Sequence, residues 1–373
     1  MKIVIISRCI YPQIAPRPFR ATELAKYFAK EGHDVTLYAV LGHYDYTEFC
    51  KNTGIKVKNL GPMRYATTWS DIEPNKTSIL AKILTRLFHN LLEFPDVELV
   101  GKTINAIKAE KNVDLLITIA VPYPIHWGAA RAKKLMGTAF PKVWVSDCGD
   151  PYMGNSIVRH PSYFQWVEDY WGEKTDYITI PIEEARMGYS KKVQAKIRVI
   201  PQGLNFEAFK IDENFKGNNI PHFAYAGVTN VDYRNPTKFL EYLTTIDKDF
   251  RFYVYTKAAA LFEPFQEKLG EKLIVSDYIP REVLIYKLSQ MDFVINILNP
   301  SAIQSPSKLI DYYLTKRPIL DISSSFNEQT TFNAFMDRDY SKQHIVENAD
   351  QYRIENVGKA FGNLVDKKQF SQR

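Results

Sequence analysis

One short stretch near the carboxyl terminus combines residue types that suit anion binding. Ser305 is a favourable helix N-cap, and the proline after it fits the first helical position. The free backbone N–H groups of Ser307, Lys308 and Leu309 would point out of this helix start, where the helix dipole and the lysine charge favour a negative ligand. Asp311 lies one turn later and is placed to accept hydrogen bonds from sugar hydroxyls. The same residues would also suit a well-capped surface helix with a Lys–Asp pair.

Charged and aromatic residues follow other predicted strands in the second half of the chain. Arg234 lies at a helix start after "HFAYAG", and Lys257 follows "FRFYVYT". Tyr278 and Ile279 close the segment "KLIVSDYI". Ligands of open parallel sheets bind at the carboxyl ends of the strands, so these residues and the helix start predict a nucleotide-diphosphate site. Each cation alone would be an ordinary surface charge.

Two carboxylates lie at the end of a predicted strand in the first half of the chain. The strand "KVWVSD" ends at Asp147, and Asp150 follows within "VSDCGDPYMGN". Closely spaced carboxylates repel each other unless they bind a partner or share a proton, so this pair indicates a catalytic role. Asp150 and the proline after it would equally suit a turn that caps the next helix.

Two arginines and an aromatic segment complete the candidate site of the first half. Arg17 and Arg20 lie in "RCIYPQIAPRPFR", directly after the first predicted strand. Tyr123 and His126 lie in "VPYPIHW", after the strand "VDLLITIA". We expect all four to line an acceptor-side cleft. The alternatives are solvation of a helix start for the arginines, and a helix cap with packed aromatic rings for the other two.

Strands and helices alternate twice along the chain, and this pattern must position the candidate residues. The predicted strands are "KIVIIS", "DVTLYAV", "VDLLITIA", "KVWVSD", "DYITI" and "KIRVIP", and then "HFAYAG", "FRFYVYT", "KLIVSDYI", "DFVINIL" and "RPILDIS". Such β-branched runs separated by helices predict an α/β protein with two Rossmann-like, doubly wound parallel-sheet domains facing across a cleft. We expect an acceptor-side domain at residues 1–203, a donor domain at 204–348, and a helix at 349–373 that crosses back to the first domain.

The composition is that of a globular protein and limits the partners it could have. The chain has 373 residues, of which 45% are hydrophobic and 24% charged, and this length favours two domains. The net charge of +6 is diffuse, which favours anionic small molecules or lipids over nucleic acid. The three cysteines are scattered without a CxxC pair, which indicates a reducing compartment and no zinc site. No signal peptide or membrane-length apolar run is visible, so we expect a cytoplasmic protein.

One amphipathic stretch admits two interpretations. "SILAKILTRLFHNLLEF" places apolar residues from Ile79 to Leu91 on one helical face, with Lys82, Arg86 and His89 elsewhere. The face would either pack on the protein core or rest on an anionic membrane surface near a lipid-linked acceptor.

Four segments together resemble the GT-B-fold glycosyltransferases of the retaining family-4 type, and the resemblance covers nearly the whole chain. "LAKYFAKEGHDVTLYAV" is similar to the family's helix-Gly-His-strand opening, and "KIRVIPQGLNFEAF" resembles its interdomain signature. "YIPREVLIYKLSQMDFVINIL" resembles the stretch around the nucleotide base, and "SPSKLIDYYLTKRPIL" resembles the donor helix.

The resemblance implies a role for each donor-side residue. Arg234 and Lys257 would hold the donor pyrophosphate, and Asp311 would bind the ribose as the second acid of the family's paired-glutamate motif. Ile279 would meet the base through its backbone. The chain departs from the family at Ile303, where the first glutamate often stands, so the resemblance leaves the donor sugar undefined.

The first half departs from the family in two further places. Its first loop lacks the family's glycine pair, and Arg17 or Arg20 would replace the backbone amides by side-chain contacts. Asp147 and Asp150 stand where many relatives have a histidine near the transferred sugar.

We therefore expect a metal-independent glycosyltransferase that moves a sugar from a nucleotide-diphosphate sugar to a glycan or polyprenyl-linked acceptor, with retention. The expected setting is bacterial surface polysaccharide assembly at the inner face of the cell membrane. No cofactor beyond the donor is expected, because Arg234, Lys257 and a helix dipole can stabilise the departing diphosphate. The alternatives are a nucleotide-sugar epimerase, which Asp147 and Asp150 would suit, and a non-catalytic nucleotide-sugar-binding protein. A nicotinamide dehydrogenase is disfavoured because no GxGxxG follows any predicted strand.

Overall fold

The computed structural model describes residues 1–13, 15–64, 87–155, 159–229, 234–298 and 308–371. The chain divides into two compact units. Unit 1 comprises Met1–Leu204 and Gln351–Arg373, and unit 2 comprises Asn205–Asp350. Residues 79–86 of the predicted amphipathic stretch lie outside the described residues, as do Ile303, Ser305 and Ser307.

Seven parallel strands form the sheet in the described part of unit 1. They are β1 (Lys2–Ile6), β2 (Asp34–Ala39), β3 (Lys56–Asn59), β4 (Leu115–Ile119), β5 (Val143–Asp147), β6 (Tyr177–Ile180) and β7 (Ile197–Val199). Their order across the sheet is β3-β2-β1-β4-β5-β6-β7. The order reverses between β1 and β4, so the carboxyl ends of these two strands form the topological switch point of unit 1.

Helices pack on both faces of this sheet and explain why its strands are apolar throughout. They are α1 (Pro16–Lys30), α2 (Thr47–Thr53), α3 (Leu99–Lys108), α4 (Pro124–Met136), α5 (Phe164–Lys174) and α6 (Lys191–Gln194). In β1, Val4 and Ile6 face one hydrophobic core, whereas Ile3 and Ile5 face the other. Strands buried on both faces carry continuous β-branched runs rather than alternating polar residues.

Five parallel strands form the sheet in the described part of unit 2. They are β8 (His222–Ala226), β9 (Arg251–Tyr255), β10 (Leu273–Ser276), β11 (Phe293–Ile297) and β12 (Ile319–Ile322). The helices are α7 (Thr237–Leu243), α8 (Glu263–Leu269), α9 (Arg281–Leu288), α10 (Lys308–Leu314) and α11 (Gln329–Met336). The strand order is β10-β9-β8-β11-β12, and it reverses between β8 and β11. The switch point of unit 2 therefore lies at the carboxyl ends of β8 and β11.

The predicted fold class is confirmed: both units are Rossmann-like, with parallel sheets and interleaved helices. Every predicted strand is present. Strand β3 was not predicted, because Lys56, Lys58 and Asn59 leave it only one apolar residue at the edge of the sheet. Short 3₁₀ turns connect other elements at Asp96–Glu98, Gly137–Ala139, Glu183–Gly188, Phe206–Ala208, Ala259–Leu261, Gly270–Lys272 and Ala349–Tyr352.

The last helix, α12 (Ile354–Ser371), belongs to unit 1 and packs closely on α1. Val357 and Phe361 enter the hydrophobic core beneath α1. The approach depends on Gly358, because a Cβ at this position would lie 2.0 Å from the Tyr27 ring. Among the described residues, no helix combines the length and the apolar character that crossing a membrane requires.

Two glycines of α12 provide a matched test of this packing. We expect Gly358→Ala to lower the free energy of unfolding by about 1–3 kcal/mol, because the added methyl group collides with the buried Tyr27 ring. Gly362→Ala is the control, since a Cβ there meets nothing within 4 Å and should raise stability by up to about 1 kcal/mol. Chemical denaturation of both variants measures the difference, and equal stabilities would contradict the close approach.

Candidate functional site

The carboxyl edge of the unit 1 sheet is organised around the buried carboxylate of Asp147, at the end of β5. Arg20 of α1 donates to both of its oxygens, from Nε to Oδ2 at 3.2 Å and from Nη2 to Oδ1 at 2.9 Å. Thr179 donates to Oδ1 at 2.8 Å, and Arg17 Nη1 lies 3.3 Å from Oδ2. Arg17 and Arg20 of α1 thus both contact Asp147 of β5, so three predicted site residues lie together.

Arg20 extends this contact to two other elements of unit 1. Its side chain is 2% exposed and donates to the carbonyl oxygens of Ile200, at 3.3 Å, and Pro201, at 2.5 Å, just after β7. The guanidinium also lies over the Phe361 ring of α12, 4.9 Å from its centroid. One buried cation therefore joins α1, β5, the end of β7 and α12.

Asp147 and Asp150, the two predicted catalytic carboxylates, lie in different environments. Burial alone would raise the pKa of Asp147, but the charges of Arg20 and Arg17 outweigh it and hold this pKa below its usual range. Asp147 is therefore ionised, and both of its oxygens are occupied. Asp150 is exposed, and its backbone carbonyl accepts hydrogen bonds from the hydroxyls of Tyr123 and Tyr189. Of the two, Asp150 is the one whose side chain a substrate can reach.

Arg17 lies at the same edge of the unit 1 sheet and is partly exposed. Its side chain is 19% exposed, and Nη2 lies 3.5 Å from Oε1 of Gln202. Its guanidinium packs over Gly149, where a Cβ would lie 2.9 Å from Cζ. The glycine between the two carboxylates thus makes room for the Arg17 guanidinium.

Tyr123 and His126 lie inside unit 1 rather than at its surface. Tyr123 is 4% exposed and packs 4.6 Å from the Tyr152 ring, centroid to centroid. His126 is fully buried, and burial lowers its pKa to about 3, so the imidazole is neutral. Its Nδ1 lies 2.8 Å from the Thr118 hydroxyl. In this structure both residues are packed aromatic groups behind the site.

Two buried acids near this edge were not singled out by the sequence. Glu93 is 4% exposed and accepts a hydrogen bond from the Tyr152 hydroxyl at 2.9 Å. Glu168 on α5 is fully buried, and burial raises its pKa to about 7. Its Oε1 accepts from the Met153 backbone N–H at 3.2 Å. The sequence offered a signal only for Glu168, which is an acid within the aromatic-rich segment "YFQWVEDYW". An acid in such a segment is also typical of a helix position that faces solvent.

Glu168 should make the stability of the protein depend on pH. In the unfolded chain this carboxyl ionises near pH 4.5, whereas the folded protein retains the proton up to about pH 7. Between these values only the unfolded chain releases the proton, so the free energy of unfolding falls as the pH rises, by about 3 kcal/mol in total. We expect Glu168→Gln to remove this part of the pH dependence in chemical denaturation series. Identical pH slopes for the variant and the wild type would contradict the buried protonated state.

In unit 2, three of the predicted donor residues follow neighbouring strands at the carboxyl edge of the sheet: Arg234 follows β8, Lys257 follows β9 and Tyr278 follows β10. The Lys257 ammonium lies 5.4 Å from the centroid of the Tyr278 ring. Burial raises the pKa of Tyr278, the Asp277 carboxylate adds to that shift, and the Arg234 charge opposes it. Arg234 Nε is buried and has no hydrogen-bond partner in the described part of the chain. Two cations and an aromatic ring therefore lie at this edge, and one of the cations carries a buried donor without a partner among the described residues.

The predicted donor helix, α10, begins at Lys308 and is held against the end of β8. The hydroxyl of Tyr312 accepts from the Ala226 backbone N–H at 3.0 Å and donates to its carbonyl at 3.2 Å. Leu309 packs against the same core, together with Ile279. The residues that place α10 at the switch point are thus aromatic and apolar.

Asp311, the last predicted donor residue, has a partner that the sequence analysis missed. Arg281, the first residue of α9, donates to its Oδ1 from Nε at 3.0 Å and from Nη2. The Arg281 guanidinium also lies over the Phe209 ring, 5.4 Å from its centroid. The two ionic partners are 30 residues apart in sequence, and no local pattern pairs them.

Comparisons with known proteins identify the fold but no sequence family. No protein-family profile and no curated protein sequence matches the chain. A glycosyltransferase from Rickettsia africae is 14% identical, with a TM-score of 0.58 over 98% of this chain and 94% of that chain. HepE of Anabaena, solved with UDP and glucose, is 8% identical, with a TM-score of 0.61 over 98% and 100%. The UDP-GlcNAc 2-epimerase of Neisseria meningitidis, solved with UDP-GlcNAc, is 12% identical, with a TM-score of 0.57 over 98% and 100%.

These similarities extend over both units and nearly the whole of each compared chain. They show that the protein shares the architecture of two Rossmann-like domains found in GT-B glycosyltransferases and in the epimerase. At such low identities the similarity concerns the fold alone.

Proposed function

We propose that the protein is a glycosyltransferase that uses a nucleotide-diphosphate sugar as its donor. The observation that carries the proposal is the buried Nε of Arg234, which has no hydrogen-bond partner among the described residues and follows β8, one of the two strands at the switch point of unit 2. Lys257 and Tyr278, whose ammonium and ring lie 5.4 Å apart, follow the neighbouring strands β9 and β10. Open α/β sheets bind ligands at such switch points. A buried guanidinium nitrogen without a partner is costly unless a ligand completes it, and a diphosphate offers the matching acceptors.

The known neighbours support the same donor class. HepE was solved with UDP and glucose, and the epimerase with UDP-GlcNAc. In this chain Arg234 and Lys257 would bind the pyrophosphate, Tyr278 and Ile279 would contact the base, and Asp311 would bind the ribose. The Lys308 and Leu309 amides at the start of α10 would add to the phosphate contacts, together with Ser305 and Ser307.

We propose that the transfer is independent of metal ions, although the chain contains two Asp-x-Asp triplets. Asp247-Lys248-Asp249 precedes β9, and Asp337-Arg338-Asp339 follows α11. A 2.5 Å ion pair between Lys248 and Asp337 joins them at the amino edge of the unit 2 sheet. Neither triplet is near the carboxyl edge, where cationic side chains would stabilise the leaving diphosphate.

The carboxyl edge of unit 1 would take the acceptor. Arg17 and Asp150 present a cation and a carboxylate there, and Arg20 and Asp147 fix their surroundings. Tyr163 and Trp166, at the start of α5, are 52% and 71% exposed. The faces of such rings attract the polarised C–H groups of sugars, which favours a glycan acceptor.

The sequence resemblance adds finer proposals. The transfer would proceed with retention, in the assembly of a bacterial surface polysaccharide on a glycan or polyprenyl-linked acceptor. The protein would work in the cytoplasm, with peripheral contact to an anionic membrane. Support for that contact comes from residues 87–92, which continue the amphipathic stretch and expose Leu87, Phe88, Leu91 and Leu92.

A nucleotide-sugar epimerase is the second candidate, because one neighbour of the same fold has that activity. Epimerisation would use the donor site without a separate acceptor and would require a group that moves a proton. Asp147 is a poor candidate for this role, since its oxygens are occupied by Arg20, Arg17 and Thr179. The products separate the candidates: an epimerase converts the nucleotide sugar without an acceptor, whereas a transferase needs one.

Calorimetric titration with UDP, GDP, ADP and CDP tests the donor site. We expect at least one of them to bind the wild type, and Arg234→Ala or Lys257→Ala to weaken that binding by about tenfold or more, because each substitution removes a charged phosphate contact. Lys238→Ala is the control, because it removes an exposed lysine of unit 2 whose partner is Glu241.

The titration has two contradicting outcomes. The proposal fails if none of the four nucleotides binds, since a donor site must recognise a nucleoside diphosphate. The proposed position of the site is wrong if one nucleotide binds but Lys238→Ala weakens that binding as much as Arg234→Ala does.

A further inference from the structure

The two carboxylate oxygens of Asp311 have different surroundings. Oδ1 accepts both hydrogen bonds from Arg281, one of them from Nε at 3.0 Å. Within the described ranges, 234–298 and 308–371 included, no residue donates to Oδ2. The side chain is 18% exposed, and the hydrogen bonds to Oδ1 hold the carboxylate in place without using Oδ2.

Arg281 is itself held on more than one side. It is the first residue of α9, and the turn that precedes it contains Tyr278 and Ile279. Its guanidinium lies over the Phe209 ring, 5.4 Å from the centroid, and its side chain is 29% exposed. A planar cation between an aromatic face and a carboxylate has little rotational freedom, so it also limits the orientation of the carboxylate.

The charge of Arg281 also affects the ionisation of its partner. Burial raises the pKa of Asp311, and the Arg281 charge and hydrogen bonds oppose that shift. A carboxylate accepts hydrogen bonds through both oxygens only when it is ionised. Arg281 therefore both orients the acceptor and favours the ionised form that can accept.

We propose that Arg281 is a positioning residue that fixes Asp311 so that its free oxygen, Oδ2, accepts from the ribose hydroxyls of the nucleotide. The inference rests on the proposed donor site and deepens it. The contact between Asp311 and the ribose already belongs to that proposed site, and the inference adds the residue that orients it and thereby sets the preference for a ribonucleotide over one whose sugar lacks these hydroxyls.

A simpler role for the same pair is to fasten α9 to α10. The two roles have different consequences for ligand choice. If the pair only holds α9 against α10, its loss lowers stability and weakens the binding of all nucleotides equally. If the pair positions Asp311, its loss changes the preference for nucleotides that carry the ribose hydroxyls.

The test compares two probes on four proteins. The probes are the nucleoside diphosphate among UDP, GDP, ADP and CDP that binds the wild type most tightly, and its 2′,3′-dideoxy counterpart. The proteins are the wild type, Arg281→Gln, Arg281→Lys and the control Arg251→Gln. Arg251 suits the control because it has the same 29% side-chain exposure as Arg281 and pairs with an acid, Glu271, in the same unit. Calorimetry gives the affinities, and a melting curve for each variant reports its fold.

We expect the wild type and Arg251→Gln to bind the ribose form about tenfold or more tightly than the dideoxy form, because a hydrogen bond to a charged acceptor is lost. In Arg281→Gln this ratio should fall towards one, and Arg281→Lys should restore most of it, since an ammonium can still donate to Oδ1.

Three results would overturn the inference, and they can be told apart. An unchanged ratio in Arg281→Gln with a lowered melting temperature assigns Arg281 only the fastening role. A ratio of one in the wild type means that the ribose hydroxyls are not recognised, while the donor site itself stands. Failure of all four nucleotides to bind the wild type removes the proposed function and the inference with it.

Discussion

The buried ion pair between Arg20 and Asp147 is the contact on which the arrangement of unit 1 depends. Arg20 has 2% exposure, and its donors reach Asp147, Ile200 and Pro201 while its face covers Phe361. Removal of Arg20 would leave Asp147 with Arg17 as its remaining cation, and removal of Asp147 would leave the Arg20 charge buried against carbonyl oxygens. Breaking a buried ion pair in this way typically costs about 3–5 kcal/mol. The first helix, a central strand and the last helix therefore share one electrostatic constraint, which also places Arg17 and Asp150 at the carboxyl edge.

In unit 2, as in unit 1, paired polar groups hold neighbouring elements together. Tyr312 fastens α10 to Ala226, and Arg281 holds one oxygen of Asp311. In contrast, Arg234 has a buried nitrogen without a partner among the described residues. In both units the satisfied polar groups are structural supports. Arg234 follows a strand of the carboxyl edge, where this fold class binds ligands, and a buried donor without a partner there is expected of a site that a ligand completes.

The sequence predicted most of the architecture because strands buried on both faces carry continuous apolar runs, β-branched in "KIVIIS" and mainly aromatic in "FRFYVYT". It missed β3, whose polar edge residues lack that pattern. It identified Arg17, Arg20 and Asp147 separately, but their contact joins residues up to 130 positions apart. Arg281 and Glu168 were missed for a related reason: their roles come from the partner or the burial that the fold provides, and neither is encoded by local spacing.

The proposed function requires that the carboxyl edge of the unit 2 sheet binds the diphosphate of a nucleotide sugar. The most direct measurement is a crystal structure of the full chain with the nucleoside diphosphate that binds it most tightly. We expect phosphate oxygens within hydrogen-bond distance of Arg234 and Lys257, with the ribose beside Asp311. A nucleotide bound elsewhere, with Arg234 Nε still without a partner, would contradict this expectation.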